Sequence, residues 1–401
     1  MVYRAGILGR NSLDAMDTGD SECRQTQIVR LSRVQNKRST VVTGAIRKLT
    51  SPAPVAAPAS SGVFWADTRT RIENGAVTPI LSNGMVASLF AVTADEIARA
   101  WAADIESPLP AAENCDLARV AQFHAVHLKD PVEAKRQYLE ALKGYLVAKA
   151  QDDPSVDAET VADLLNPGKR SQVTLSRLAQ QLGYPRYPDP LQNPLRLLAE
   201  LPLPIYLTTS PHTFLEWELA RTGSRTPETA LFYWHDGLRS IPSVFKREPD
   251  YTPSRARPLV YHLFGLDDSP ESLVLTEDDY LDYLVKLSTL SHEVKYADKQ
   301  LDIPAPVTLA LTGTALLLLG YQVADWDFRV LFKGLVQATR ESRMKRTPHS
   351  VAMQLAPEAE ADRRDEICKY LEQFFEPDHF SVYWGDLAAC LGQVYRLWKG
   401  G

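Results

Sequence analysis

The stretch LPIYLTTSPHTFLEWEL, Leu203–Leu219, decides how the rest of the chain is read. Its first half, Ile205 to Thr208, is a short apolar run without polar alternation, as in a strand buried on both faces. Its second half, from Phe214 to Leu219, carries apolar residues at helical spacing. A strand that feeds directly into a helix is the repeating unit of an α/β fold. Ser210 at the corner suits a helix N-cap, and Pro211 suits the first helical position, where its missing N–H costs nothing. The same corner puts the hydroxyls of Thr208, Thr209 and Ser210, with the imidazole of His212, at the C-terminal end of a strand, where doubly wound sheets bind ligands.

The texture repeats downstream. Apolar runs at ALFYW (230–234), PLVYHLFG (258–265), TALLLLGY (314–321), SVAMQL (350–355) and HFSVYW (379–384) alternate with helical patterns such as DDYLDYLVKL (278–287), FRVLFKGLVQATR (328–340) and DEICKYLEQFF (365–375). Upstream, VTPIL (77–81) reads as a first strand that stops at the turn SNGM (82–85), where Gly84 is free to take a positive φ. Thr93–Glu96 has the form of a capping box, and from there to about 200 every pattern is helical, interrupted by loops at LNPGKR (165–170) and GYPRYPDPLQNP (183–194). The expectation is an α/β fold: a doubly wound, mostly parallel Rossmann-like sheet with a helical insert, about 93–200, after the first strand. Residues 1–62 mix basic and small polar side chains and end in SPAPVAAPASSG, so they read as a weakly ordered tail and linker before a single domain over 63–401.

Composition narrows the function classes. With 45% hydrophobic and 23% charged residues and a net charge of −6, the chain has the make-up of a soluble globular protein without a pervasive nucleic-acid surface. Cys23, Cys115, Cys368 and Cys390 form no metal-binding spacing or disulfide framework. His124 and His127, three apart on a helix, lack a third ligand, so no metal is expected. The first residues do not form a signal sequence and no apolar run is long enough to span a bilayer, which reads as a cytoplasmic protein with no membrane contact.

Two further corners could carry chemistry. SNGM lies where a dinucleotide pyrophosphate would rest, although GxGxxG is absent and one glycine in a turn is equally a plain structural feature. His262 stands inside an apolar strand close to its end, where it needs a partner or a cavity. The acidic cluster Glu277, Asp278 and Asp279 reads as the charged start of a helix, and Asp325 or Asp327 as a cap for the next one.

Taken in order, VTPILSNGM, YLTTSPHTFLEWEL, PLVYHLFG with SLVLTEDDYLDYL, TALLLLGYQVADWDFRVLF and VYWGDLAACL resemble the sirtuin-like (SIR2-family) domains of prokaryotic antiviral defence proteins, over about 75–398. The resemblance implies NAD as substrate or ligand and an enzyme that cleaves NAD+ to ADP-ribose and nicotinamide. It implies a homo-oligomer or a defence-system partner protein to control such an activity. The two cysteine pairs of the zinc-bearing deacetylases are missing. Carried over by position, the catalytic candidates are Ser210, where the family has Asn, His262, two residues before the usual His position at Phe264, and His212, where the family has Asp. The cofactor-binding candidates are Ser82, Asn83, Gly84, Met85, Thr208, Thr209, Phe264, Gly265, Gly320 and Tyr321. On one strand, positions two apart share a face, so His262 is expected on the side of Phe264 and able to replace it. The alternative is a catalytically silent module that binds NAD or ADP-ribose beside an effector or ATPase partner.

Overall fold

The computed structural model describes residues 68–86, 94–187, 192–293, 303–322, 326–332, 351–355 and 380–400, with isolated positions between 366 and 373. The chain divides into two units, Met1–Ala53 and Pro54–Gly401, and all described residues belong to the second. The expected tail at 1–62 and Thr93 of the expected capping box therefore lie outside the described residues.

Among the described residues seven strands form one sheet: β1 (Val77–Leu81), β2 (Ile205–Thr208), β3 (Glu228–Leu231), β4 (Leu259–His262), β5 (Ala315–Tyr321), β6 (Val351–Leu355) and β7 (Phe380–Trp384). Their order is β3-β4-β2-β1-β5-β6-β7, and every neighbouring pair is parallel. The seven apolar runs of the sequence all contribute strands, and pairing in one ladder satisfies the backbone N–H and C=O groups of these runs away from water.

Side-chain alternation sorts the strand residues into two cores. Ala315, Leu317 and Leu319 of β5 join one cluster with Val77, Leu81, Tyr206 and Val260. Leu316 and Leu318 join the other with Ile80, Ile205, Leu207, Leu259 and Tyr261. On the first face lie the helices between β1 and β2: α1 (Ala94–Asp104), α2 (Leu117–Leu128), α3 (Pro131–Gln151), α4 (Ala158–Leu165), α5 (Leu175–Gln181) and α6 (Pro194–Glu200), which supply Trp101, Val120, Leu142, Leu178 and Leu198. They are joined by α7 (Phe214–Arg221) and α11 (Leu387–Lys399). The second face is covered by α8 (Glu277–Glu293), α9 (Ala305–Gly313) and α10 (Trp326–Val330) through Tyr283, Leu287, Val307, Leu311 and Phe328. Each fully buried Leu or Phe contributes about 1.5–3 kcal/mol to this arrangement.

The helical insert is as expected, with no strand among its described residues. LNPGKR differs from a loop: Asn166 accepts from the Gly168 N–H and starts a helical turn, Pro167–Arg170. Proline at the first position and an Asx cap favour such a turn, and the composition of that stretch reads equally as either. The acidic start of α8 behaves as expected. Asp279 accepts from the Leu275 and Thr276 N–H groups, and the Thr276 hydroxyl accepts from the Asp279 N–H. Lys135 of α3 reaches the same carboxylate at 2.8 Å, so a buried ion pair fastens the insert to α8.

Candidate functional site

The chain leaves β1 toward β2 on one side of the sheet and returns later to β5 on the other, so β1 and β5 flank the topological switch point. In open α/β sheets ligands bind at the carboxyl ends of strands at such a crevice. Its walls here are the β1 turn, the ends of β2 and β4, and the end of β5.

At the β1 turn, Gly84 does not take a positive φ, contrary to the expectation. What demands glycine is proximity: a Cβ on Gly84 would stand 2.2 Å from the Gly320 carbonyl oxygen. Ser82 is buried, donates to that same carbonyl, and accepts from the Gly84 N–H at 3.0 Å. The turn is thereby locked to β5. Asn83 and Gly84 are exposed at its tip, and the backbone of Met85 continues the same short 3₁₀ turn. Gly320, at φ +77°, donates its N–H to Gln354 of β6 at 2.9 Å.

The β2 corner also departs from the capping expectation. α7 begins at Phe214 behind Thr213, and Ser210 caps nothing. Instead the Ser210 N–H donates to the Thr208 hydroxyl at 2.9 Å and the Ser210 hydroxyl donates to Asn83 Oδ1 at 3.1 Å. The Ser–Asn contact joins the first and second corners. Thr209 donates to Asp327 Oδ2 at 3.0 Å, next to Tyr321, whose hydroxyl donates to the Leu81 carbonyl at 3.1 Å. Burial pushes the Asp327 carboxyl up to about 6 against the pull of its Thr209 and backbone hydrogen bonds. The helix α10 starts at Trp326, so Asp327 is its second residue and not the expected cap; its Oδ1 accepts from the Phe328 N–H at 2.7 Å. Asp325 lies outside the described residues.

At the end of β4 the structure corrects the expected pairing of His262 with Phe264. The strand stops at His262 and the chain bends, so the two residues do not share a face. Phe264 packs edge-on to Tyr283 at 4.9 Å in the α8 core, while His262 turns to α7. Gly265, at φ +88°, brings its backbone so near Ser272 that a Cβ would lie 2.2 Å from the carbonyl oxygen. Such a position accepts only glycine.

His262 is wholly buried. Its Nδ1 donates to the Ser210 carbonyl at 2.9 Å, and its Nε2 meets Glu216 Oε1 at 2.7 Å. The Thr229 hydroxyl donates to the same carboxyl oxygen at 3.1 Å, whereas Glu216 Oε2 is buried without a partner among the described residues. A carbonyl on one side and a carboxylate on the other call for a proton on each ring nitrogen. Burial opposes that charge, but Glu216, the Ser210 carbonyl and Asp267 outweigh it and raise the His262 pKa. With both nitrogens committed, His262 has no free lone pair with which to act as the expected base.

His212 is held differently. Its Nδ1 lies 3.3 Å from Asp267 Oδ2, and among the described residues its Nε2 has no hydrogen-bond partner. Asp267 also accepts from the Ser176 N–H at 2.9 Å and hydroxyl at 2.7 Å, at the start of α5. Burial works against its charge, but His212 and Ser176 keep the carboxyl below its ordinary value.

The structure thus brings Ser82, Asn83, Gly84, Thr208, Thr209, Ser210, Gly320 and Tyr321 together by hydrogen bonds or close approach, and sets Phe264 in the core. Sequence reasoning missed Glu216, Asp267 and Gln354. For Glu216 a signal existed, since an acidic residue between Leu215 and Leu219 on a helix that must bury those leucines needs an internal partner.

Residues 204–375 match the SIR2-like domain. The matched SIR2-like region begins at β2 and runs past β6, so it contains the β2 corner, His262, Asp267 and the β5 end, while β1 and the insert precede it. SIR2-like domains bind NAD, and the match points to an NAD-related function for this region. No curated protein matches the chain. Among the described residues, no group of three or more His, Cys, Asp or Glu side chains could hold a metal ion, and no helix is long and apolar enough to cross a membrane.

Proposed function

We propose that this chain binds NAD+ across the β1/β5 crevice and hydrolyses its bond to nicotinamide, releasing ADP-ribose. The observation that carries the reading is the Ser210–Asn83 contact, which joins two strand-end corners beside the switch point and leaves Asn83 exposed at the lip. The exposed turn at Asn83 and Gly84 offers polar groups to the pyrophosphate and ribose. The reaction asks little of the protein. Nicotinamide is cationic in the substrate and leaves as a neutral ring, so no general acid is required, and catalysis rests on holding the bent substrate and a water in line.

On the resemblance to defence proteins, the activity serves prokaryotic antiviral defence, in the cytoplasm and under the control of a partner or a homo-oligomer. A second reading, a silent module that binds NAD or ADP-ribose, is favoured by the commitment of both His262 nitrogens and of the Ser82 and Thr209 hydroxyls within the protein. The deciding experiment incubates the full-length protein with NAD+ and follows nicotinamide release alongside thermal unfolding. Release supports hydrolysis. A raised melting temperature without release supports the silent module, and neither effect removes NAD from the account.

A further inference from the structure

We infer that His212, oriented by Asp267, is the proton acceptor of this site, in place of His262. The inference rests on the hydrolase reading and goes beyond it by assigning the base.

A general base needs a nitrogen with a free lone pair, a neighbour that fixes the tautomer, and a position at the ligand-binding edge. His212 meets these conditions. It lies in the corner that follows β2, two residues beyond Ser210, whose hydroxyl reaches the exposed Asn83. Asp267 Oδ2 faces its Nδ1 at 3.3 Å, and Asp267 is held ionised by two donors from Ser176. A carboxylate at Nδ1 places the proton there and leaves Nε2 as the acceptor. Among the described residues nothing occupies Nε2.

The pair is also anchored in the backbone. The Asp267 N–H donates to the Pro211 carbonyl at 2.9 Å, and the Thr213 N–H donates to the Ser176 hydroxyl at 2.9 Å. The loop after β4, the corner after β2 and the start of α5 therefore converge on one buried carboxylate. The side chains of His212 and Asp267 are 1% and 2% exposed. A ring set against a carboxylate that is anchored in this way keeps its orientation while substrate binds. His262, by contrast, spends Nδ1 on the Ser210 carbonyl and Nε2 on Glu216, and so fixes the corner from below.

The step balances with water alone. A water molecule gives one proton to His212 Nε2 as its oxygen bonds to the anomeric carbon of the nicotinamide ribose. The carbon–nitrogen bond breaks with its electron pair passing to the pyridinium nitrogen, so nicotinamide leaves neutral. The imidazolium then returns its proton to solvent, and the net change is NAD+ and water to ADP-ribose, nicotinamide and a proton.

The test measures nicotinamide release by the full-length protein as wild type, His212→Asn, His212→Phe and Asp267→Asn, with circular dichroism to establish that each is folded. His212→Phe keeps ring volume should the smaller side chain fail to fold. The expected result is a fall in kcat of roughly 100-fold or more for both His212 variants, with KM within about two-fold of wild type. For Asp267→Asn, the ¹⁵N shifts of the His212 ring should show the proton leaving Nδ1, together with a lower kcat. Wild-type kcat in either folded His212 variant overturns the inference and leaves the hydrolase reading standing. An unchanged tautomer in Asp267→Asn overturns the role given to Asp267. No release by the wild type overturns the hydrolase reading, and this inference with it.

Discussion

Two buried histidines flank one corner of the sheet and are built in opposite ways. At the end of β4, His262 is closed: a carbonyl and a carboxyl take both nitrogens, and Thr229 backs the carboxyl. In the corner after β2, His212 is open: Asp267 takes one nitrogen and no described residue takes the other. A closed pair holds structure, because each polar atom it buries must be satisfied; an open pair keeps a lone pair in reserve for a ligand. On the assignment proposed above, nearness to the His position of the sirtuin-like pattern is not what selects the base. The accounting of ring nitrogens does.

That contrast breaks most readily at Glu216. Glu216→Ala removes one partner of a buried ion pair and leaves His262 uncompensated, so chemical denaturation should show a loss of about 3–5 kcal/mol. In the wild type, the stability owed to His262 is present below its ordinary pKa of 6.5 and lost as pH rises through its raised folded value. The same pH series on Glu216→Ala should lack that loss; if the loss persists, the pair is not what stabilises the fold.

Gly265 lies in the chain between His262 and Asp267, one member of each pair. Gly265→Ala forces a Cβ against the Ser272 carbonyl at φ +88°, and a loss of about 3 kcal/mol is expected by the same denaturation measurement. A smaller effect would mean that the loop carrying Asp267 can shift, which would loosen the geometry assigned to His212.

Asp327 offers a third handle, with the opposite sign. Its folded pKa of about 6 exceeds the ordinary 3.8, so the folded state holds the proton more tightly and stability falls as pH rises from about 4 to about 6. Asp327→Asn should remove that slope and stabilise the protein at pH 7 by roughly 2 kcal/mol, measured as a rise in melting temperature. A flat wild-type profile over this window would show that Thr209 and the Phe328 N–H hold the carboxylate charged.

The smallest effect is expected at the open pair itself. His212→Asn leaves Asp267 its two Ser176 donors, so a stability loss of about 1 kcal/mol should accompany the large loss of turnover. A loss as great as that of Glu216→Ala would erase the difference between the two histidines and return His212 to a structural role.

Much of the fold is legible in the sequence. The strands at 205–208, 259–262 and 315–321 appear as apolar runs, and the insert appears as helical spacing without alternation, because burial on one or both faces imposes its period directly on the residues. The site was legible only in outline. Ser210, His212 and Asn83 stand out as polar groups at strand ends, but the cap that the sequence suggests at Ser210 and the commitment of both His262 nitrogens are decided by contacts outside the local pattern. Neither the bend after His262 nor the approach of Gly84 to Gly320 leaves a period to read.

By itself the sequence determined the α/β class, the position of the insert and the strand-end addresses of the polar residues, since these follow from local periodicity and turn chemistry. The tertiary structure alone decided which histidine has a nitrogen that no described residue takes. That choice depends on partners far away in the chain: Glu216 lies 46 residues from His262, and Asp267 lies 55 residues from His212. Hydrogen bonds across such separations are set when the sheet assembles in its final order, and no local pattern encodes which acceptor will face which ring.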